Sequence, residues 1–294
     1  CSMCVSVTRG FEWSTWPADA TETGGRLVEL TAGETESLDV ELARVVDTSG
    51  AISGDFHVHG VRSPDSRVGK LDRVMNFVSD GVEVIVSTDH DVVTDYEPTI
   101  KRAGAGEEIA GVRGDEITTS DLGHFNGFPL PYDAHHRAGG ALDWGRGPEL
   151  NMTPAEIFDW VKSFEGEQVV QVNHAASATL GMITGLEADV LHGTTHADPE
   201  NFRLPFDGRD PATGDTGWWS DDFTAMELMN GAEIGEFWAL SRWWLTMIGR
   251  GFTPTGTAVT DTHSLYSDLG GTPRSYVFVP ESSDTPADFD RDAF

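Results

Sequence analysis

The chain of 294 residues is 38% hydrophobic and carries 49 Asp and Glu against 19 Lys and Arg, for a formal net charge of -30. This length and apolar content are enough for one large domain, or for one domain with a small partner. No run of 18 apolar residues is present to span a membrane, and the acidic surface disfavours binding to nucleic-acid phosphates.

Residues 1–50 are predicted to be rich in β-structure. The stretches CVSVTRGFEWSTW and GRLVELTAGETESLDVELARVV alternate apolar and polar residues, which is the period of a half-buried strand. Three short strands do not make a stable sandwich alone. We therefore expect residues 1–50 to be the tail of a β-sandwich domain. Because the chain begins at Cys1, we also expect it to be a piece of a longer protein.

From residue 51 to residue 294, predicted strands alternate with predicted helices. The strand predictions are AISGDFHVH, VEVIVSTDH, EIAGVRGDE, GHFNGFPL, QVVQVNHA, FTAMELMNG, TGTAVTDTH and RSYVFVP. Helices are predicted over 69–80, 153–165 and 233–250, the second beginning with a capping-box pattern at Thr153 and Glu156. This alternation predicts a second domain, an α/β barrel or a related parallel-sheet fold. The segments 129–152 and 185–221 are long enough to be substrate loops.

Histidines and acidic residues concentrate at the ends of the predicted strands. Six of the ten histidines lie there: His57, His59, His90, His124, His174 and His263. In a parallel barrel such ends open at one face, where these folds place their active sites. A His-x-His pair on a strand points both rings to one side. Because imidazole and carboxylate are ligands for zinc, manganese or iron, the pattern predicts a metal site.

The remaining side chains limit the kind of metal site. The two cysteines, Cys1 and Cys4, stand together at the N-terminus, so a structural zinc site of the cysteine type is excluded. The other four histidines are interpreted as ordinary surface or core residues: His135, His136, His192 and His196.

The motifs DFHVH, STDHD, GDE followed by GHFN, VNHA and TDTH occur in this order within about residues 48–280. Together they closely resemble the PHP (polymerase and histidinol phosphatase) superfamily. The form GDFHVHGVRSPDS…STDHD…GDEITTSDLGHFNGFPL looks most like its carbaryl-hydrolase-like branch of metallohydrolases. The resemblance implies a distorted (β/α)7 barrel after a short β-rich remnant of an N-terminal β-sandwich domain. It also implies two or three divalent metal ions (Zn, Mn or Fe).

Carried over by position, the resemblance implies three sets of metal ligands. The first set is His57, His59, Glu116 and Asp261; the second is Asp65, His90 and His263; the third is His124 and His174, with Glu116 as a bridge. The residues expected to act in catalysis are Asp65, His90, Asp261 and His263. Asp89 is expected to orient a ligand histidine.

The expected activity is hydrolysis of a small-molecule ester, because paired divalent ions lower the pKa of a shared water that can attack it. A phosphoester is the first expected substrate, with Arg62 and Arg67 as candidate phosphate clamps. A carbamate or carboxyl ester is the alternative that the carbaryl-hydrolase likeness implies. A further alternative is a binding module that holds metal without catalysis. The β-domain likeness and the acidic surface predict an extracytoplasmic location: secreted, periplasmic or surface-attached.

Overall fold

The computed structural model describes residues 1–18, 24–120, 122–144, 152–178, 180–186, 188–189, 194–195, 220–232, 234–268 and 270–290. The first strands are β1 Ser2–Val5, β2 Arg26–Glu29, β3 Ala51–Val58, β4 Val84–Ser87, β5 Ala110–Arg113, β6 Asp115–Thr118 and β7 His124–Phe128. The later strands are β8 Val169–Val172, β9 Ala188–Asp189, β10 Thr194–Thr195, β11 Ala225–Asn230, β12 Thr255–Val259 and β13 Ser275–Phe278. The helices are α1 Lys70–Ser79, α2 Glu97–Ala103, α3 Pro154–Lys162, α4 Met182–Gly185 and α5 Ile234–Gly249.

Two sheets make up most of the described chain. Their strand orders are β13-β3-β4-β5 and β12-β11-β8-β7-β6, and two short antiparallel ribbons, β1-β2 and β9-β10, stand apart from them. Phe56 and Val84 of the first sheet share one hydrophobic cluster with Phe128 and Val259 of the second, so the sheets are packed against each other. Helices α1 and α2 pack on the first sheet, and α3, α4 and α5 pack on the second.

The predicted (β/α)7 barrel is wrong. Among the described residues, five helices accompany separate sheets, and no closed barrel is present. Such a barrel needs a helix after each strand, so that neighbouring strands run parallel. Here only Gly114 separates β5 from β6, and a short loop joins β6 to β7. Strands β6, β7 and β8 consequently pair antiparallel, as do β13 and β3.

Most of the predicted elements are present in the described residues, and their ends differ by a few positions. Helices α1, α3 and α5 lie within the ranges predicted for them, and the capping box of α3 is formed by Thr153 and Glu156. The stretch EIAGVRGDE contains β5 and the start of β6, whereas each of the other seven stretches contains one strand. Helix α2 was not predicted, although it has a proline in its first turn and ends at Gly104 in the left-handed conformation.

The N-terminal segment forms fewer strands than predicted but has a buried contact with the rest of the chain. Within residues 1–50, only β1 and β2 are strands among the described residues, and Arg44 makes an isolated bridge with Trp13. The carboxylate of Glu12 accepts hydrogen bonds of 3.2 and 3.3 Å from the guanidinium of Arg274. Both side chains are 1% exposed. Residues near Glu12 are therefore packed as part of the larger unit.

Short backbone contacts join the two sheets at one end. The amide of Asp261 donates to the carbonyl of His57 (2.9 Å), and the amide of His59 donates to the carbonyl of Thr262 (3.2 Å). On the other side, His90 forms a parallel bridge with Glu116. These contacts bring the residues that follow β3, β4 and β12 beside β6. No helix of the described residues combines the length and apolar character needed to cross a membrane.

Candidate metal centre

The strand ends bring the predicted polar residues together although the barrel is absent. Parallel pairs β3-β4, β8-β11 and β11-β12 present their carboxyl ends on the same side as one another within each sheet. The side chains contributed by these ends are His57 and His59 from β3, His90 after β4, His174 after β8, and Asp261 and His263 after β12. The parallel part of the prediction therefore holds within each sheet.

A hairpin supplies the other two members of the cluster. Glu116 lies in β6 and His124 is the first residue of β7, and Thr118 is paired with His124 in the antiparallel register. In an antiparallel hairpin the end of one strand lies beside the start of the next. The two side chains thus reach the same place without an intervening helix, and His124 Nδ1 is 3.2 Å from Glu116 Oε1.

Glu116 is at the centre of the cluster. Its carboxylate lies within 3.6 Å of a ring nitrogen of five histidines: His57 (3.2 Å), His59 (3.5 Å), His90 (2.7 Å), His124 (3.2 Å) and His174 (3.6 Å). Glu116, His57 and His59 are 0% exposed, and His124 is 4% exposed. We call this buried set, Glu116 with His57, His59 and His124, the inner end of the cluster.

The opposite side of the cluster reaches the surface. Asp65 Oδ2 lies 3.1 Å from His90 Nε2 and 3.2 Å from His263 Nε2. The side chains of Asp65 and His263 are 50% and 29% exposed. We call these two residues the outer end. Asp261 lies between the ends, with Oδ1 at 3.0 Å from His59 Nε2 and 3.7 Å from His263 Nδ1.

Hydrogen bonds on the far side of three rings determine which nitrogen faces the cluster. His57 Nδ1 donates to Glu227 Oε1 (2.6 Å), and His263 Nδ1 donates to the carbonyl of Asp261 (2.8 Å). His59 Nδ1 is bonded to the hydroxyl of Ser63 (2.8 Å). A ring whose Nδ1 carries the proton has its lone pair on Nε2, as metal-ligating histidines have.

Several buried atoms of the inner end have no hydrogen-bond partner among the described residues. They are His57 Nε2, His59 Nε2 and Glu116 Oε2. Leaving buried polar atoms unsatisfied is costly in free energy, so such atoms call for an explanation. A cation shared between the imidazole nitrogens and the carboxylate oxygens would satisfy all three. The donor set therefore fits a metal ion.

The cluster concentrates ionised carboxylates in a buried position. Burial would raise the pKa of Glu116, but the charge of His57 and hydrogen bonds from His124 and His174 hold it well below its usual range. Burial likewise opposes ionisation of Asp261, and His57 and His59 lower its pKa. Both carboxylates are therefore negative at neutral pH, and protons and metal ions compete to neutralise them.

The histidines respond in different directions to the same surroundings. Burial would lower the pKa of His57, but Asp261, Glu116 and Glu227 outweigh it and raise the pKa well above its usual value. Burial also opposes protonation of His90, yet Glu116 and Asp65 raise its pKa to about 9. For His59 burial prevails and lowers the pKa. An ion binding here would displace protons from His57 and His90.

Glu227 is a buried residue at this site that the sequence analysis missed. It lies in β11, is 0% exposed, and accepts a hydrogen bond from His57 Nδ1. Its other oxygen accepts a bond from the amide of His174 (2.6 Å), so it positions two of the histidines. The signal was a lone glutamate inside the apolar stretch AMELM, because a buried carboxylate needs partners.

Two aspartates near the histidines hold the backbone. The carboxylate of Asp55 accepts hydrogen bonds from Thr260 and from the amide of His57, and so ties β3 to the end of β12. Burial raises the pKa of Asp55 to about 6, against the effect of the Thr260 hydrogen bonds. Asp89 accepts from the amides of Gly60 (2.7 Å) and Ser63 (3.2 Å). Asp89 thus contacts the loop that carries Ser63 and not a histidine ring, as had been expected.

Backbone strain is concentrated at the cluster. Among the described residues, the non-glycine residues with positive φ are Asp91 (54°), His174 (27°) and Asp261 (52°). The left-handed region is sparsely populated by residues with a side chain, and such outliers occur often at functional sites. All three belong to the motifs STDHD, VNHA and TDTH or follow directly on a cluster residue.

The structure places the nine predicted ligands in one connected cluster and groups them in a somewhat different way. The sets whose ligand atoms converge are His59, Asp65, His90 and His263; His57, His59 and Glu116; and His90, Glu116 and His124. His59 and His90 are each shared between two sets, and His174 is in none of them. This buried cluster of histidine and carboxylate side chains could hold metal ions, which is compatible with a metal-dependent function.

The other predicted residues lie in different places. Arg62 lines a cavity beside His90, whereas Arg67 is exposed and does not line it. His135 and His136 lie outside the cluster, on the segment after β7. His192, His196 and most of the predicted loop 185–221 lie outside the described residues.

Comparisons with known proteins add little to this picture. No protein-family model matches the chain, and no curated protein matches its sequence. Among solved structures, PsfC from Pseudomonas syringae PB-5123 is similar over 82% of this chain and 88% of its own, with 14% sequence identity and a TM-score of 0.48. A similarity at this level supports no conclusion about the site.

Proposed function

We propose that this protein is a metal-dependent hydrolase in which two or three divalent ions activate water for attack on an ester bond. We also propose that it is a member of the PHP superfamily, on the order of its motifs. The observation that supports the proposal most strongly is the contact of Glu116 with five histidines. Two of those histidines, His57 and His59, have a buried Nε2 that lacks a hydrogen bond.

The chemistry follows from the donor set. Divalent ions supply Lewis acidity: they lower the pKa of a bound water and offset negative charge that develops on the ester oxygens. Imidazole nitrogens and carboxylate oxygens suit zinc, manganese or iron. The ordered side of the site is made by the chain itself, because Glu227 and Ser63 hold the rings of His57 and His59 in one orientation.

The outer end faces the substrate. Asp65 and His263 are the most exposed members of the cluster, so an ester approaching from solvent meets them first. Arg62 lines the cavity beside His90. A guanidinium at this place binds a phosphate better than it binds a neutral carbamate or carboxyl ester. Arg62 therefore favours a phosphoester over the alternative of a carbamate or carboxyl ester.

Metal content and turnover together test the proposal. Elemental analysis of the purified chain is expected to find zinc, manganese or iron, and p-nitrophenyl phosphate is expected to be hydrolysed with added Mn or Zn. A chelator should remove the activity and readdition of metal should restore it. The same panel includes a phosphodiester, an acetate and a carbamate, which separate the substrate classes. A folded, metal-loaded chain that turns over none of them would instead be a metal-dependent binding module.

A further inference from the structure

Two neighbouring cavities extend from the outer face of the cluster. The first has a volume of about 600 Å³ and is lined by His90 and Asp91 on one side and by residues 136–138 and 141–144 on the other. The second, of about 370 Å³, lies between Lys70, Thr94 and residues 134–137. Arg62, His136 and Arg137 line both cavities, so the two spaces are adjacent. Their volumes are those of small-molecule sites.

The second cavity is positively charged in a strongly acidic protein. Its lining includes Arg62, Lys70 and Arg137 together with His135 and His136, and no acidic side chain is among the described residues that line it. The whole chain has only 19 Lys and Arg against 49 Asp and Glu. Three cations around one cavity are therefore an uneven distribution, and the cavity suits an anionic group.

The first cavity combines an apolar wall with a fixed ring. Val61, Leu142 and Trp144 line it, and the indole Nε1 of Trp144 donates to Asp91 Oδ1 (2.8 Å). The same oxygen accepts from the amide of Thr118 (3.1 Å), so the carboxylate of Asp91 is engaged. Asp143 is the other acidic residue in this lining. A flat apolar group could lie against Trp144 between the metal cluster and the cationic cavity.

We propose that the two cavities form a substrate subsite selecting esters that carry a second, distal anionic group. This inference rests on the proposed function and names its substrate class. The reacting ester group lies at the outer end, an apolar or aromatic spacer lies against Trp144, and a distal carboxylate or phosphate lies between Arg62, Lys70 and Arg137. The segment 131–144, which the sequence analysis interpreted only as part of a loop, determines specificity.

Binding of non-hydrolysable analogues tests the subsite without requiring turnover. The full chain, loaded with zinc or manganese, is titrated calorimetrically with phenylphosphonate, with 4-carboxyphenylphosphonate and with benzene-1,4-diphosphonate. We expect the two compounds with a distal anion to bind about tenfold more tightly than phenylphosphonate, the effect of a charge-assisted contact. The ratio between the carboxylate and the second phosphonate tells which anion the cavity prefers. High salt should reduce the advantage, because the cations are partly exposed.

Three variants connect the preference to the cavity. R137A and K70A should each bring the three affinities closer together, while the affinity for phenylphosphonate stays within about threefold of wild type. R137E should make the distal anion unfavourable. The matched control is R242A, which removes an exposed arginine from α5 that lines neither cavity. It should preserve the wild-type preference.

The outcomes separate this inference from the proposed function. Equal binding of the three analogues, or binding of none, overturns the subsite. A preference that survives in R137A and K70A overturns the assignment to these residues. Turnover of simple phosphate esters without any preference for a distal anion would leave the proposed function standing and reject the subsite. A tenfold preference in binding, with no ester hydrolysed, would support the subsite and reject the hydrolase.

Discussion

The inner and outer ends of the cluster differ in how the protein holds them. At the inner end, Glu116 is buried among histidines, and Asn173 donates a hydrogen bond of 2.9 Å to its carboxylate. At the outer end, the side-chain contacts found for Asp65 are the rings of His90 and His263. One end is embedded in a hydrogen-bonded core and the other is half exposed. The first is built to hold ions, and the second leaves room for exchange and for substrate.

This difference predicts unequal consequences for substitutions of the same chemical kind. A residue at the inner end contacts several ligands at once, so its loss should affect every ion in the cluster. A residue at the outer end contacts fewer, so its loss should be local. The experiments below test whether the two ends are separable, beginning with the one for which the largest effect is expected.

Glu116→Gln should have the largest effect. The substitution keeps the shape of the side chain and removes a charge that lies within 3.6 Å of five histidines. We expect turnover to fall by more than about a thousandfold, because several kcal/mol of ion binding and charge stabilisation depend on this carboxylate. Elemental analysis should show loss of bound metal, and circular dichroism should show a retained fold.

The matched control is Glu167→Gln, an exposed glutamate outside the cluster. It should retain both metal and turnover. Wild-type turnover in Glu116→Gln at equal metal loading would contradict the central position of this carboxylate. It would then be necessary to look for the ion elsewhere in the chain.

Asp65→Asn should have a smaller and more local effect. The substitution weakens the contact that Asp65 makes with His90 and His263 but does not touch Glu116. We expect turnover to fall by about a hundredfold, with most of the metal retained. Turnover and metal content are measured on the same preparation. Complete loss of metal in this variant would show that the two ends bind ions as one cooperative unit, and the comparison made above would fail.

The sequence was sufficient to locate the cluster because its residues belong to short motifs. His57 and His59 alternate along one strand, and Asp261 and His263 show the same spacing after another, so each pair points to one side. Strands were recognisable from their apolar stretches. What the motifs could not supply was the pairing direction of β6, β7 and β8. Gly114 interrupts the stretch EIAGVRGDE, and the sequence analysis treated that stretch as a single strand.

Residues that act through others were harder to identify. Ser63 orients His59, and Asn173 contacts Glu116, but serine and asparagine are common in loops and carry no metal signature. Their roles depend on which residue they meet in space. Arg137 is similar: its position beside Arg62 follows from the path of the segment after β7, where the guanidinium of Arg62 donates to its carbonyl (2.8 Å). Only coordinates reveal such neighbours.

Glu227→Gln tests a residue of this indirect kind. Its carboxylate accepts a hydrogen bond from His57 Nδ1, and in the variant that ring loses its anionic partner. We expect the affinity for metal to fall by about tenfold to a hundredfold, as is usual for partners that orient a ligand. At saturating metal, turnover should return close to wild type, which distinguishes this variant from Glu116→Gln. Glu227→Asp should restore part of the affinity. Metal affinity equal to that of wild type would reject a positioning role for Glu227.

The dependence of metal binding on pH is expected to be the mildest effect and involves both ends, since His90 contacts Glu116 and Asp65. Its pKa is raised to about 9, because these carboxylates outweigh burial, and that of His57 is also raised. A metal can bind only the deprotonated rings, so the apparent affinity should fall by about tenfold per pH unit, for each proton displaced, as pH decreases below about 9. Calorimetry in two buffers of different ionisation enthalpy counts the protons released.

The same pKa values predict opposite stability trends with and without metal. In chelated protein, a histidine whose folded pKa is raised stabilises the fold fully below its unfolded pKa, near 6.5, and loses that contribution as pH rises through about 9. In metal-loaded protein, the stabilisation by the ion increases over the same interval, because protons compete less. Thermal unfolding in chelator and in excess metal should therefore diverge as pH rises. Parallel curves would mean that His57 and His90 do not bind the ion, and that the buried carboxylates hold it without them.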